Sequence, residues 1–228
     1  MMKIENTSIH RIYRKLFPDY PKELEKAVGD DCNTLLDIGC GSSSPIKRFS
    51  KKLFCVGVDA FQPSIDRSRE QNIHSKYHKL DVMSLGEKFE ENSFDCVLAL
   101  DLIEHLRKDE GFKLLKMMEK IAESRVIIFT PNGFVPQKEY EDNPWQAHKS
   151  GWTVDEMNSL GYSVIGIDGW RPLREVREGS ETIELWQYLT IKFWPRWLWF
   201  VVSKISQFVV RDNPHHAFNL LCVKEMKS

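Results

Sequence analysis

Four short apolar runs, at residues 34–38, 53–58, 94–100 and 126–129, alternate with stretches that carry helix signals, and this rhythm constrains the fold more than any other feature. Runs of that length suit strands buried on both faces of a sheet. Between them, Ser44 and Pro45 predict a helix start, residues 63–71 a second helix, and residues 108–123, apolar at 112, 114, 115, 118 and 121, a third. Strand alternating with helix implies an α/β doubly wound, mostly parallel, Rossmann-like sheet with helices on both faces. Further along, residues 153–160 suit a helix with Thr153 near its cap, and residues 162–167 and 218–223 suit two last strands. Those strands are separated by about 50 residues, far beyond an ordinary connection, and the stretch holds five of the seven tryptophans. The expected layout is therefore a ligand-binding domain of residues 1–167 and 217–228, with residues 1–30 as a helical lead-in, plus a Trp-rich helical insertion or cap at 168–216.

Thirty-two basic and 33 acidic residues leave a net charge of −1, so no global field points to nucleic acid, although local patches stay open. The five cysteines are odd in number and lack zinc-site spacing, which suits reduced, buried thiols in a cytoplasmic protein. Residues 1–17 have no apolar run of signal-peptide length. The most apolar stretch, 194–210, has a longest pure run of six residues, against the roughly 20 that a membrane span needs.

The chemistry concentrates after the first run, where Asp37-Ile38-Gly39-Cys40-Gly41 puts an acid, then a Gly-x-Gly turn, ahead of the helix start at Ser44 and Pro45. Glycines there let the backbone turn tightly and a ligand approach closely. Asp59 follows 22 residues after Asp37, where an acid can accept both hydroxyls of a ribose, and Asp81 follows another 22 on. Phe94-Asp95 then leads through Leu100 and Asp101 to Glu104-His105-Leu106.

From residue 33 to about 165, these motifs resemble the class I S-adenosylmethionine-dependent methyltransferases, in the broad group whose fourth strand runs from Phe-Asp to Glu-His-Leu. The resemblance implies S-adenosylmethionine as cofactor. It implies that Gly39, Cys40 and Gly41 lie against the amino-acid portion, with Asp37 steering the ammonium, and that Asp59, with Ala60 beside it, takes the ribose. Asp81 and Val82 would hold the adenine, and Leu100 would border the methionine. Ser43 stands where many relatives continue the glycine pattern, and Ser44 takes the place of the third glycine of a dinucleotide loop, which, with Asp37 ahead of the turn, disfavours a dehydrogenase.

Methyl transfer is an in-line displacement that needs alignment, dryness and, for a hydroxyl nucleophile, a base. His105, following the fourth strand, is the first candidate, with His148 a second; a structural histidine that orients the next helix is the competing reading. Asp101, Glu104, His105 and His148 could alternatively hold a divalent ion, an arrangement similar to that of the small-RNA 2′-O-methyltransferases. No metal is committed to. Trp145 and Trp152 either anchor the loop after the fifth strand or stack on substrate.

In the insertion, Arg171, Arg174 and Arg177 alternate with Glu175, Glu178, Glu181 and Glu184, as on a solvated helix face. Residues 194–210 predict an amphipathic helix, with Trp194, Trp197, Leu198, Val201, Ile205, Phe208 and Val209 on one side and Arg196, Ser203, Ser206 and Gln207 opposite. Core packing and a dimer contact are its default readings; a lid over an apolar acceptor and peripheral membrane contact are the others. The expected activity is methyl transfer to a small-molecule or glycan-like acceptor at oxygen, with a non-catalytic cofactor-binding scaffold as the rival of another class.

Overall fold

A computed structural model describes residues 19–138, 143–174 and 191–226. Its strands, in chain order, are β1 (Thr34–Ile38), β2 (Phe54–Asp59), β3 (Lys76–Lys79), β4 (Phe94–Leu100), β5 (Ala122–Pro131), β6 (Ser163–Trp170) and β7 (Ala217–Glu225). They form one seven-stranded sheet in the order β3-β2-β1-β4-β5-β7-β6, parallel except that β7 runs antiparallel to both β5 and β6. The order reverses between β1 and β4. A crevice outside the carboxyl ends of the strands at such a reversal is where open α/β sheets bind ligands.

Alternation along the strands builds a core on each face. On one face Leu36, Ile38, Val97, Ala99, Val126 and Ile128 pack against Leu114, Leu115, Met118 and Ile121. The last four belong to the helix α4 (Lys108–Ile121). On the other face Leu35, Cys96, Leu98, Leu100, Ile127 and Phe129 meet Tyr20, Leu24 and Val28. Those three lie on α1 (Tyr20–Val28), which Asp19 caps by accepting from the Lys22 amide. The five cysteines are free and buried.

The remaining helices are α2 (Gln62–Glu70), α3 (Leu85–Lys88), α5 (Val154–Ser159) and α6 (Arg196–Val210). Thr153 caps α5 through a reciprocal pair with Glu156. Three expectations need correction. The segment from Pro45 makes only 3-10 turns, Pro45–Arg48 and Ser50–Lys52, because Ser44 makes no side-chain cap and Phe49 leaves the helical region at φ −128°. The helix expected over 108–123 stops at Ile121, since Ala122 already begins β5. The Arg/Glu run is not a solvated face at Arg174, which is buried and donates to the Asp168 carbonyl at 3.0 Å. From residue 175 to 190 that run lies outside the described residues.

Candidate active site

The acids singled out from sequence gather along the carboxyl edge of the sheet, each for a local reason. Gly39 and Gly41 turn the chain after β1 at φ 68° and 56°, a region that side chains disfavour. A Cβ at Gly41 would meet nothing within 4 Å, so this turn borders open space. The Asp59 carboxylate holds the turn by accepting from the Gly41 amide at 2.9 Å and the Phe61 amide at 2.8 Å. Burial raises the pKa of Asp59 and these amides pull it back. Asp81 is exposed and accepts from the Met83 amide at 2.9 Å, next to buried Val82.

Asp37 is placed differently from its neighbours. It is buried, and one of its oxygens lies 2.8 Å from Nε2 of His74, itself buried. His74 carried no signal in the sequence. Tyr20 was missed too: it stacks on Phe129 with ring centroids 3.7 Å apart. Burial raises its hydroxyl pKa well above the usual phenol range, followed by the charges of Asp101, Asp37, Asp168 and Glu104.

Past β4 the chain turns at Asp101, which has φ 51°. Asp101 keeps solvent access on one side while the surrounding protein desolvates it; this burial, with the Asp168 charge adding to it, pushes its pKa up to about 7. Asp168 sits at the irregularity between Ile167 and Trp170 of β6, at φ 64°, and accepts from Asn219 Nδ2 at 2.7 Å. It could have been suspected as one more acid closing a strand. The raised pKa of Asp101 has a sign that can be checked. Between about pH 4, where an unfolded aspartate ionises, and about pH 7, the folded chain keeps a proton that the unfolded chain has lost. Stability attributable to Asp101 therefore falls as pH rises through that window. In thermal melts, Asp101→Asn is expected to gain over wild type progressively from pH 4 to 7 and then level off; a difference independent of pH would contradict this.

Glu104, His105 and His148 come together, with one ligating atom from each within 4.8 Å of the others. Glu104 and His105 sit on the 3-10 turn Ile103–His105 after β4. His148 arrives on the loop after β5, whose Lys149 and Ser150 amides donate to the Glu104 carbonyl at 2.8 and 3.0 Å. Thr130, at the end of β5, donates to Glu104 Oε2 at 3.0 Å. Burial, then the Asp101 charge, raises the Glu104 pKa well above the carboxylate range. Burial, then His148, lowers His105 to about 4, and burial lowers His148. The imidazoles stand 4.7 Å apart between centroids. Nδ1 of His105 faces the Ala147 carbonyl at 3.3 Å, and Nδ1 of His148 faces the Val135 carbonyl at 2.6 Å. A carbonyl only accepts, so in each neutral ring Nδ1 carries the hydrogen and Nε2 keeps its lone pair. Among the described residues the cluster has three members: Asp101, expected as a fourth, lies outside it.

Trp152 is fully buried and donates from its indole to the Ser150 hydroxyl at 3.1 Å and the Ile103 carbonyl at 3.3 Å. It anchors the loop, whereas Trp145 is exposed.

Residues 36–129 match the family described as "Methyltransferase domain". No curated protein matches the chain. Among solved structures, it resembles a SAM-dependent methyltransferase from Archaeoglobus fulgidus at 15% identity and TM-score 0.54, covering 95% of this chain and 99% of that one. The methyltransferase domain of bacterial CtHen1-C is similar at 14% identity and TM-score 0.54, with 91% and 97% covered. Phosphoethanolamine N-methyltransferase 2 of Haemonchus contortus, in complex with S-adenosyl-L-methionine, is similar at 17% identity and TM-score 0.55, covering 91% of this chain and 52% of that one. At these identities the likeness is one of fold.

Proposed function

We propose that the chain is a class I S-adenosylmethionine-dependent methyltransferase, a reading supported by the match of residues 36–129 to a methyltransferase domain and by the fold, and that it transfers the methyl group to a hydroxyl of a small-molecule or glycan-like acceptor, activated at Glu104, His105 and His148. The observation that carries this is the convergence of two neutral imidazoles and a buried carboxyl after β4, at the sheet edge that also holds the Gly39 turn. S-adenosylmethionine supplies a methyl group already activated by its sulfonium. The chain binds and orients it: Gly39, Cys40 and Gly41 take the amino-acid portion with Asp37 behind them, and Asp59 and Ala60 the ribose. Asp81 and Val82 take the adenine, and Leu100 borders the methionine. Nε2 of His105 would take up the proton that the acceptor hydroxyl loses on methylation. A labelled-methyl screen over sugars, lipids, small metabolites, RNA and protein tests this, with mass analysis of the product. Label on an oxygen of a small or glycan-like acceptor supports the proposal; label on nitrogen, carbon or a macromolecule refutes it.

A second reading, that the three residues hold a divalent ion which lowers the pKa of the hydroxyl, is favoured by one observation. A ring held near pKa 4 is a reluctant proton acceptor but a ready neutral ligand, and both Nδ1 atoms are fixed by carbonyls, as outer partners fix metal-binding histidines. An ion would also offset the charge of buried Glu104. Elemental analysis of the purified protein that finds no stoichiometric metal, with turnover unaffected by EDTA, would dispose of this reading.

A further inference from the structure

One row across the sheet holds an acid where the row before it is apolar. Asp37 on β1 pairs in register with Gly57 on β2, and Gly57 with Tyr77 on β3, so the three positions share a face. His74, on the connection between α2 and β3, lies over the space that Gly57 leaves: a Cβ there would stand 3.0 Å from Cγ of His74 and 3.0 Å from Sγ of Cys40. A glycine inside a strand marks such a close approach. The side chains of Asp37 and His74 are 1% and 0% exposed. Their hydrogen bonds run one way. As a carboxylate Asp37 only accepts, so Nε2 of His74, at 2.8 Å, carries a hydrogen. Nδ1 faces the Ser68 hydroxyl on α2 at 3.4 Å, and Ser68 Oγ lies 3.1 Å from the Tyr77 hydroxyl, which accepts from the His74 amide at 3.1 Å. With the ring neutral, Tyr77 donates to Ser68, Ser68 to Nδ1 and Nε2 to Asp37. Each hydrogen in the chain then has an acceptor, and the carboxylate is its end.

Stability does not ask for this pair. A buried acid and its partner are commonly no more stabilising than apolar side chains of the same volume, and Leu35, Cys55, Cys96 and Leu98 on the same face are apolar. What the pair does is fix Asp37 near the carboxyl end of β1, two residues before Gly39. The Gly39 and Cys40 amides donate to the Val58 carbonyl at 2.8 and 3.0 Å, so the turn is tied to the strand β2 over which His74 lies. Acid and turn thereby keep one relation to each other, at the place where the turn borders open space at Gly41. We propose that His74 is a positioning residue of the cofactor site, holding the Asp37 carboxylate in one orientation behind the Gly39 to Gly41 turn so that its charge serves the ammonium of the cofactor's amino-acid portion. This rests on the methyltransferase reading, which supplies the ligand, and adds to it a residue whose own side chain is fully buried.

Calorimetric titration of the full chain with S-adenosylhomocysteine and with its desamino analogue, which lacks only the ammonium, tests this. Wild type is expected to prefer S-adenosylhomocysteine. His74→Leu is expected to weaken that ligand by about tenfold to a hundredfold, the usual worth of a hydrogen bond to a charged group, and the analogue by no more than about twofold. In an Asp37→Asn background, His74→Leu is expected to weaken S-adenosylhomocysteine no further. His74→Gln, which keeps a side-chain N–H donor of similar reach, is expected to recover most of the loss. Ser68→Ala removes the hydroxyl at Nδ1 and leaves a good helix former in α2, so it makes the comparison in a folded protein even where His74→Leu unfolds; it is expected to weaken S-adenosylhomocysteine alone, by about threefold. The proposal is overturned if these variants leave S-adenosylhomocysteine binding unchanged, if they weaken the two ligands alike, as a merely structural role would, or if wild type binds the two ligands equally. A wild-type chain that binds neither ligand overturns the methyltransferase reading itself, which keeps the two failures apart.

Discussion

Replacing Trp152 with alanine is expected to destabilise the protein by about 3–5 kcal/mol, the range for truncating a buried aromatic, and to dismantle the candidate active site in the molecules that stay folded. The indole is fully buried, and Lys108 Nζ stands 3.7 Å from the ring centroid on α4. Its fit to that helix is close, since a Cβ at Gly111 would meet the ring at 2.4 Å. Its hydrogen bonds to Ser150 and the Ile103 carbonyl join the loop carrying His148 to the turn carrying Glu104 and His105. Two readouts separate the effects. Denaturant unfolding should report the lost stability, and methyl transfer measured well below the unfolding midpoint should still be impaired. Trp152→Phe, which keeps most of the packing but neither hydrogen bond, should recover stability more than turnover. A Trp152→Ala protein that melts within about 1 kcal/mol of wild type would refute the anchoring role.

Replacing His105 with alanine is expected to lower turnover by about 10²–10⁴-fold, the usual worth of a positioned acid–base group, while the affinity for S-adenosylhomocysteine changes by no more than a few-fold. The two quantities separate because His105 follows β4, whereas the residues assigned to the cofactor lie on the β1, β2 and β3 loops and at the end of β4. The pH profile adds a second check. Burial and His148 hold His105 neutral down to about pH 4, so the acid limb of kcat/KM that it governs belongs near pH 4 and not near the 6.5 of a free imidazole. The direction follows from the lowered pKa: the neutral form is present above that value and is lost as pH falls through it. Turnover of His105→Ala within a few-fold of wild type would remove His105 from the chemistry and leave it orienting the start of α4.

Much of the fold was legible because the strands announce themselves. Runs such as Val97-Leu98-Ala99-Leu100 are apolar on both faces since the central strands are covered on both, and the structure buries all four. Boundaries were less legible where hydrogen bonding overrides composition. The strand β5 starts four residues before the apolar run at Val126, and Arg125 within it is fixed from outside by Asp31, at 2.7 Å, and Glu225, at 3.1 Å. Local spacing brought Glu104 and His105 together, but the approach of His148, beyond α4 and β5 in the chain, depends on the loop after β5, held by backbone bonds to Glu104, which no local pattern encodes. Asp168 and Tyr20 joined the acidic edge through tertiary packing of β6 and α1. The amphipathic pattern of α6 was plain in the sequence. Which side would face inward was not, because hydrogen bonds that β6 donates to Ser206 and exchanges with Gln207 override the usual burial of the apolar side.

The most direct test of the cofactor assignment is calorimetric titration of the purified chain with S-adenosylhomocysteine and, separately, with NAD. The account predicts one S-adenosylhomocysteine site per chain and no NAD binding. It also predicts that Asp59→Ala weakens the site by roughly a hundredfold or more, because two hydrogen bonds from ribose hydroxyls to a carboxylate are worth about 1.5–3 kcal/mol each. Absence of binding to the wild-type chain, binding of NAD in its place, or an Asp59→Ala protein that binds as tightly as wild type would contradict it.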